Sequence, residues 1–312
     1  MIMIKEYPKL VPYTRAGFPD YPKSDGTPFP VQELQYIRLL RLLWAQGVDK
    51  ESRTGIKTKS TFGLQMRFDL RDSFPVLTTK KIAFKSVVSE LLWMIEGSGD
   101  ERRLAEILHG SRDPKYKTIW TANAQADYWR KRARRPGDLG RIYGVQWRRW
   151  LNNNEKIDQL ATLIENIKTD PDSRRHILSA WNVGDLDFMA LPPCHVMSQF
   201  YVHNGELSCQ LYQRSADFFI GVPFNIASYS LLTCMIAQVC GLKPHEFIWS
   251  GGDCHIYHDH GKAVQEQIHR VCENPPTLWL NKDIKNIDDF KMDDIKLVNY
   301  NPQPAIKASM AV

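Results

Sequence analysis

The sequence NGELSCQLYQRSADFFIGVPFNIASY, residues 204–229, contains the clearest signals of secondary structure in this chain. Asn204-Gly205 is a dipeptide preferred in tight β-hairpin turns, so we expect strands over residues 197–203 and 206–215. Pro223 then precedes an apolar run closed by Gly241 and Pro244, which predicts a helix over about residues 225–240. A hairpin followed directly by a buried helix is typical of a mixed α+β fold.

Three segments upstream have the spacing of helices that bury one face. Residues 31–47 are rich in Leu and Ile and end at Gly47, residues 84–95 precede Gly97, and residues 157–167 precede Pro171. Patterns beyond Pro275 weaken into short mixed segments. We therefore predict one α+β domain over residues 31–312, and residues 1–30, which contain six prolines, as an extended arm.

The composition limits the classes of protein to consider. Hydrophobic residues make up 43% of the chain. The sequence contains no run of about 18 apolar residues, so we do not expect a membrane span. The six cysteines include no CxxC pair, which argues against a structural zinc site. So few cysteines in a chain of this length are typical of a protein of the reducing cytoplasm, which would be the cytoplasm of the host cell if the chain is viral. The net charge of +6 suits anionic ligands and does not by itself indicate nucleic acid.

Four polar segments are candidates for a functional site. Cys194-His195 in LPPCH is compatible with a buried inert thiol or with a nucleophile. Arg53, Arg174-Arg175 and Arg214-Ser215 are compatible with solvated surface residues or with a phosphate site, since guanidinium groups bind phosphate through paired hydrogen bonds.

The other two segments are equally open when taken singly. Asn225 is interpreted as the cap of the predicted helix or as a group that reads a uracil edge, because its amide offers both a donor and an acceptor. His255, His258 and His260 in GGDCHIYHDH suggest a metal only weakly, because their spacing is irregular.

Taken together, these segments resemble the thymidylate synthase family from about Glu33 to the C-terminus. The resemblance is carried by FPVLTTKK, SELLWMIEG, GDLGRIYGVQW, DPDSRR, SAWNVGDLDFMALPPCH, the segment of residues 204–229 and GGDCHIYHDH. It implies a large mixed β-sheet with flanking helices and a homodimer in which the sheets of two subunits pack back to back.

The resemblance also implies an activity and a role for each matching residue. Cys194 would add to C6 of dUMP, and C5 would then attack the methylene group of 5,10-methylenetetrahydrofolate, a co-substrate; no metal is implied. Glu90 and Tyr143 would manage protons, and partial burial of Glu90 on its helix is expected to raise its pKa. Arginines near Cys194 are expected to favour its thiolate.

The remaining matches concern the ligands. Those implied for dUMP are Arg53, Arg214, Ser215, Asn225, His255 and Tyr257, together with Arg174 and Arg175 reaching in from the partner subunit. Those implied for the folate are Trp120, Asn123, Asp217 on the pterin, Gly221, Phe224 and a closing C-terminal tail that ends at Val312. Asp217 and Asn225 are counted among the catalytic residues as well.

Several positions depart from the family pattern. RTGTGT becomes RTGIKT over residues 53–58, Trp-Asp becomes Trp120-Thr121, and GPVYG becomes GRIYG over residues 140–144. If these changes admit water, the product would be 5-hydroxymethyl-dUMP instead of dTMP. The intact tail favours reductive methylation because a closed site excludes water.

The basic run RKRARR, residues 130–135, is the second open question. A solvated loop, attraction of a polyglutamate folate tail and nucleic-acid binding are all compatible with it. A third interpretation of the whole chain, an RNA-binding regulator that retains the fold, rests on this run alone.

Overall fold

A computed structural model describes residues 32–153 and 155–309. Its centre is a six-stranded sheet in the order β1-β2-β8-β7-β6-β5, in which β7 and β8 are parallel and the other neighbours are antiparallel. Two small two-stranded sheets, β3-β4 and β9-β10, lie outside it. The strands are β1 Val48–Lys50, β2 Thr58–Asp69, β3 Trp150–Asn152, β4 Glu155–Ile157, β5 Ile177–Ser179, β6 His195–His203, β7 Glu206–Asp217, β8 Lys243–Tyr257, β9 Thr277–Leu280 and β10 Ile295–Val298.

Helices flank this sheet, so the mixed α+β class is confirmed. They are α1 Glu33–Gln46, α2 Phe84–Ile95, α3 Glu101–His109, α4 Thr121–Gln125, α5 Asp127–Arg130, α6 Gly144–Arg149, α7 Gln159–Thr169, α8 Gly221–Val239 and α9 Gly261–Ile268, with short 3₁₀ helices at Val183–Phe188, His258–His260, Ile287–Asp289 and Met292–Asp294.

The hairpin of β6 and β7 has the predicted turn. Asn204 and Gly205 have φ angles of 50° and 73°, the left-handed pair that such a turn requires. The turn fixes the register, which pairs His203 with Glu206 and Met197 with Tyr212. A bulge between His195 and Met197 then places His195 opposite Gln213. The hairpin therefore determines which side chains of the two strands meet near Cys194.

Helix α8 begins earlier than the sequence predicted. It starts at Gly221 because the Asp217 carboxylate accepts hydrogen bonds from the Phe219 and Ile220 N–H groups, at 3.1 and 2.9 Å. Pro223 lies in the first turn, where no N–H is needed. Asn225 is therefore in the second turn, and its interpretation as a helix cap is wrong.

Helix α8 is also the crossover between the parallel strands β7 and β8. It is long and apolar enough to cross a membrane, but 83% of its apolar window is buried inside the protein. It is thus a core helix, as its position between two neighbouring strands requires.

The predictions for α1 and α2 are confirmed at both ends within two residues. The third helix was predicted to include Ile157, which instead lies in β4. Helix α7 starts at Gln159 because the Asp158 side chain accepts a hydrogen bond from the Ala161 N–H at 3.0 Å. The predicted arm, residues 1–30, lies outside the described residues.

One face of the large sheet is not covered by the described residues. On it, the side chains of Ile177, Met197, Tyr201 and Tyr212 are 41%, 36%, 63% and 40% exposed. They occupy neighbouring register positions of β5, β6 and β7. The opposite face packs on α8, which is buried along most of its length. The sheet thus has an exposed apolar face alongside a buried one.

Candidate active site

A cavity of about 490 Å³ lies where α2, α4, the segment before β6, β7, the start of α8 and β8 converge. Its volume is in the range of small-molecule sites. The structure brings to it fourteen of the residues predicted from the sequence: Arg53, Glu90, Trp120, Asn123, Tyr143, Cys194, Arg214, Ser215, Asp217, Gly221, Phe224, Asn225, His255 and Tyr257.

Three predicted site residues are not among its lining. Arg174 and Arg175 are exposed on the segment that precedes β5. Val312, the end of the predicted closing tail, lies outside the described residues.

Cys194 is held at the entrance of β6 by its backbone. Its N–H donates to the Tyr143 hydroxyl at 2.8 Å, and its carbonyl accepts from the Arg214 N–H at 2.9 Å. Burial raises the pKa of the Cys194 thiol, while the Arg214 and Arg53 charges and hydrogen bonds from Tyr143 and Ser215 act in the opposite direction. The two arginines therefore favour the thiolate, as expected, but burial exceeds their effect and the net change is a raised pKa.

Arg214 has a fixed position beside this thiol. Its Nε and Nη2 atoms donate to the carbonyl oxygens of Pro193 and Pro192, both at 2.8 Å, and its guanidinium lies 5.2 Å from the Trp181 ring centroid. A solvated surface arginine would have none of these contacts. Arg214 therefore supports the loop that carries Cys194 and places a positive charge in the cavity.

Glu90 lies on the flank of α2 with its carboxylate directed to the indole of Trp120. Trp120 Nε1 donates to Glu90 Oε1 at 2.6 Å. Burial raises the pKa of Glu90, and the hydrogen bond from Trp120 opposes this in part. The expected increase in pKa is confirmed, and a carboxyl with a raised pKa is better suited to proton exchange than an ordinary glutamate.

Tyr143 has a strained backbone conformation. Its φ is 31°, in a region that non-glycine residues seldom adopt. The next residue, Gly144, approaches α2 so closely that a Cβ atom would lie 2.1 Å from the Met94 carbonyl oxygen. Burial, and then the nearby Cys194, raise the pKa of Tyr143 well above 10. The tyrosine hydroxyl thus stays protonated beside the thiol.

A polar network behind the cavity was missed in the sequence. Trp249 Nε1 donates to Gln213 Oε1 at 2.8 Å, and Gln213 Nε2 donates to Asn225 Oδ1 at 2.9 Å. His195 also hydrogen-bonds Asn225, and burial lowers its pKa to about 4, so the ring is neutral. The bulge between His195 and Met197 places residues 195 and 213 opposite each other, and the Asn204-Gly205 turn alone did not predict this shift. The network fixes the orientation of the Asn225 amide.

The three histidines considered as metal ligands have separate partners. His255 Nδ1 lies 3.3 Å from Asp253 Oδ1, His258 Nε2 lies 2.9 Å from Asp49 Oδ1, and His260 Nε2 lies 2.7 Å from the Ser309 carbonyl oxygen. Within residues 32–153 and 155–309, no group of three His, Cys, Asp or Glu side chains is arranged to hold a metal ion.

Three of the residues that depart from the family pattern have carboxylate partners of their own. Thr121 Oγ1 donates to Glu101 Oε1 at 2.6 Å, and Arg141 Nε donates to Asp185 Oδ2 at 2.6 Å. Lys57 Nζ lies 3.1 Å from Glu51 Oε1. None of the three is part of the cavity lining. The partners of Thr121 and Arg141 lie outside the lining, whereas Glu51, the partner of Lys57, is part of it. The effect of these changes on the site stays a prediction.

A thiol beside a fixed arginine, with a protonatable carboxyl and an oriented amide in the same cavity, is an arrangement compatible with an enzyme that uses a cysteine nucleophile on an anionic substrate. Residues 34–312 match the family model described as thymidylate synthase. Thymidylate synthases from three strains of Coxiella burnetii, Dugway 5J108-111, RSA 331 / Henzerling II and RSA 493 / Nine Mile phase I, are each 53% identical over 279 residues, which cover 89% of this chain and 99% of theirs. The chain belongs to the thymidylate synthase family, a family of methyltransferases.

Proposed function

We propose that the chain converts dUMP to dTMP by reductive methylation with 5,10-methylenetetrahydrofolate, through a covalent adduct of Cys194 at C6 of the pyrimidine. The observation that supports this most directly is the position of the Cys194 thiol between Arg214 and Tyr143 in a cavity that also contains Glu90. Thiol addition at C6 makes C5 nucleophilic, which uracil alone is not.

The phosphate of dUMP would bind at Arg53, Arg214 and Ser215. Arg53 is exposed at the edge of the cavity and can adjust to a ligand, whereas Arg214 is already held by two carbonyl oxygens. His255 and Tyr257 line the cavity from β8 and would hold the deoxyribose. The positive charge of Arg214, which favours the Cys194 thiolate, would also attract the phosphate. The same guanidinium would therefore act on both the substrate and the nucleophile.

Asn225 would recognise the uracil edge. Its Oδ1 is occupied by Gln213, and the network behind it fixes which way the amide group faces. A fixed amide distinguishes the uracil carbonyl and imide from the cytosine amino group, because the wrong base leaves a buried polar group unpaired.

The folate would bind over the pyrimidine, between Trp120 and Asn123 on one side and Asp217, Gly221 and Phe224 on the other. It supplies the one-carbon unit and the hydride. Trp120 also donates a hydrogen bond to the carboxylate of Glu90. The residue that would contact the folate is therefore hydrogen-bonded to the carboxyl group that would exchange protons. Glu90 and Tyr143 would move protons at O4 and C5 of the pyrimidine.

Turnover of dUMP with methylenetetrahydrofolate is expected to give dTMP and dihydrofolate in equal amounts. The side chains of Lys57, Thr121 and Arg141, where the chain departs from the family pattern, are not part of the cavity lining. Mass spectrometry of the nucleotide and the absorbance of dihydrofolate measure the outcome. A hydroxymethylated nucleotide without dihydrofolate would instead establish the hydroxymethylase, and no turnover with intact ligand binding would favour a regulator.

Asn225→Asp is expected to shift preference from dUMP toward dCMP. Aspartate still accepts from Gln213 but cannot donate to O4 of uracil, and an unpaired buried group costs about 1–3 kcal/mol, which corresponds to roughly 5- to 150-fold in the ratio of kcat/KM values. Asn166→Asp, the same change on the exposed side of α7, is the control and should leave the ratio unchanged. An unchanged ratio in Asn225→Asp would contradict the role in base recognition.

We also propose a homodimer that buries the exposed sheet face of Ile177, Met197, Tyr201 and Tyr212. Arg174 and Arg175 directly precede β5 at the edge of that face, where they could reach a neighbouring subunit. An apolar sheet face of this kind is characteristic of an interface. The phosphate site of each subunit would then include the partner's Arg174 and the partner's Arg175.

Mixed dimers test this shared site. Cys194→Ser protein and Arg174→Ala/Arg175→Ala protein should each have little activity, and mixing them with subunit exchange should restore about a quarter of the native rate, since half the dimers then have one complete site. Two Cys194→Ser preparations mixed in the same way are the control. If the arginine variant is fully active alone, or mixing restores nothing, the shared site is excluded.

A further inference from the structure

A second cavity, of about 860 Å³, is lined in part by three arginines of the basic run, Arg132, Arg134 and Arg135. Its other walls are the end of α6, the β3-β4 hairpin and the 3₁₀ helix Val183–Phe188. None of the residues that line it lines the first cavity. The function proposed above uses none of them.

The cations of this cavity outnumber the carboxylates that could neutralise them. Among the described residues, no carboxylate pairs with Arg132, Arg134, Arg149 or Lys156. Arg132 and Arg149 donate only to backbone carbonyl oxygens, those of Asp187 and Gly97. The cavity therefore has a positive potential that an anion would reduce.

The lining carboxylates are for the most part engaged. Asp100 pairs with Arg112 and Arg135. Asp138 accepts hydrogen bonds from the N–H groups of Arg134 and Gly140 at 3.0 and 2.9 Å. Neither Asp138 nor Asp187 pairs with a cation, so these two carboxylates oppose the four cations from within the lining and an excess of positive charge remains. Four cationic side chains without carboxylate partners can donate hydrogen bonds to more than one phosphate group.

An aromatic surface adjoins the cations. Phe188 is 60% exposed at the end of its 3₁₀ helix, beside Leu151, which is 40% exposed. An exposed aromatic ring next to free guanidinium groups is a combination that binds a planar base together with its phosphates. The volume is that of a small-molecule site, so a single nucleotide suits it better than an extended strand.

We propose that this second cavity binds a nucleoside triphosphate, with the phosphates on Arg132, Arg134, Arg149 and Lys156 and the base against Phe188. The cavity is built from two segments that continue into the candidate active site. Arg141 N–H donates to the Phe188 carbonyl oxygen at 2.9 Å, and Tyr143 and Cys194 follow these two residues along the chain.

Equilibrium dialysis with ATP and with dTTP tests the site without reference to turnover. The native protein should bind, and Arg134→Ser/Lys156→Ser should bind at least about tenfold more weakly, because each charge-assisted hydrogen bond contributes more than a neutral one. Lys168→Ser/Lys262→Ser removes the same charge from exposed positions outside the cavity and should bind as the native protein does.

Two further variants separate the alternatives. Phe188→Ser should weaken ATP binding but leave inorganic tripolyphosphate binding unchanged, which identifies the contribution of the base. If Arg214→Ala, in the first cavity, abolishes binding while Arg134→Ser/Lys156→Ser does not, the nucleotide occupies the candidate active site and the proposal is overturned. Binding of a single-stranded RNA in the absence of any ATP binding would overturn it too.

Discussion

Cys194→Ser is expected to lower turnover by at least about 10³-fold, because a serine hydroxyl is scarcely ionised at neutral pH and adds poorly to C6. Binding of dUMP should stay within about tenfold of the native value, since the change leaves the phosphate and base contacts in place. Arg214 and Tyr143 also keep their hydrogen bonds to the backbone of residues 192–194. Single-turnover rates and dUMP titration measure the two quantities separately.

Cys272→Ser is the matched control, because this half-buried thiol lies outside the cavity. It should retain native activity. A Cys194→Ser protein with a tenth of the native rate would show that the thiol is not the nucleophile, whereas loss of dUMP binding together with turnover would show a structural role for the side chain.

Glu90→Gln is expected to lower kcat by about 10²- to 10⁴-fold, the usual contribution of a positioned acid or base. Glutamine keeps the size of the side chain and the oxygen that accepts from Trp120, but it cannot transfer a proton. Glu96→Gln, at the exposed end of the same helix, is the control and should have little effect. A Glu90→Gln enzyme with native kcat would contradict the proton-transfer role.

The raised pKa of Glu90 also predicts a dependence of stability on pH. Between the ordinary glutamate pKa and the raised value in the folded protein, the folded state holds a proton that the unfolded chain has released. Stability therefore decreases as pH rises through this interval, and the loss persists above it. Glu90→Gln lacks this contribution, so its Tm should decrease less than the native Tm when the pH is raised. Parallel decreases in the two proteins would show that Glu90 is not buried as described.

Much of the fold follows from local signals in the sequence. The Asn204-Gly205 turn predicted the hairpin, and the apolar stripe of residues 84–95 predicted α2 and the buried flank on which Glu90 lies. These predictions succeeded because turn geometry and helical periodicity are properties of a few neighbouring residues. The fourteen site residues found together in the cavity came from the family resemblance, which encodes long-range proximity that periodicity cannot supply.

The failures involve side-chain interactions that apolar patterns and residue identities do not reveal. The start of α8 depends on the Asp217 side chain folding back onto the chain after it, which an apolar pattern does not reveal. The pKa of Cys194 depends on the balance between burial and charge, and residue identities give only the charge. Likewise, Thr121 and Arg141 are neighbours of site residues in the sequence, yet their side chains bind Glu101 and Asp185 outside the cavity.

The pairing of β2 with β8 has a consequence for the order in which this protein forms. Ser60 lies opposite His255, so β2, the first long strand of the chain, can pair with β8 only after nearly 200 intervening residues have been synthesised. Such distant pairing is slow, because the intervening chain loses its freedom before contacts compensate for the loss. During synthesis on the ribosome, α8 therefore emerges before β8 can cover it. The nascent chain is expected to need protection from aggregation until its final quarter is released, and the cavity to be completed only after translation is nearly over.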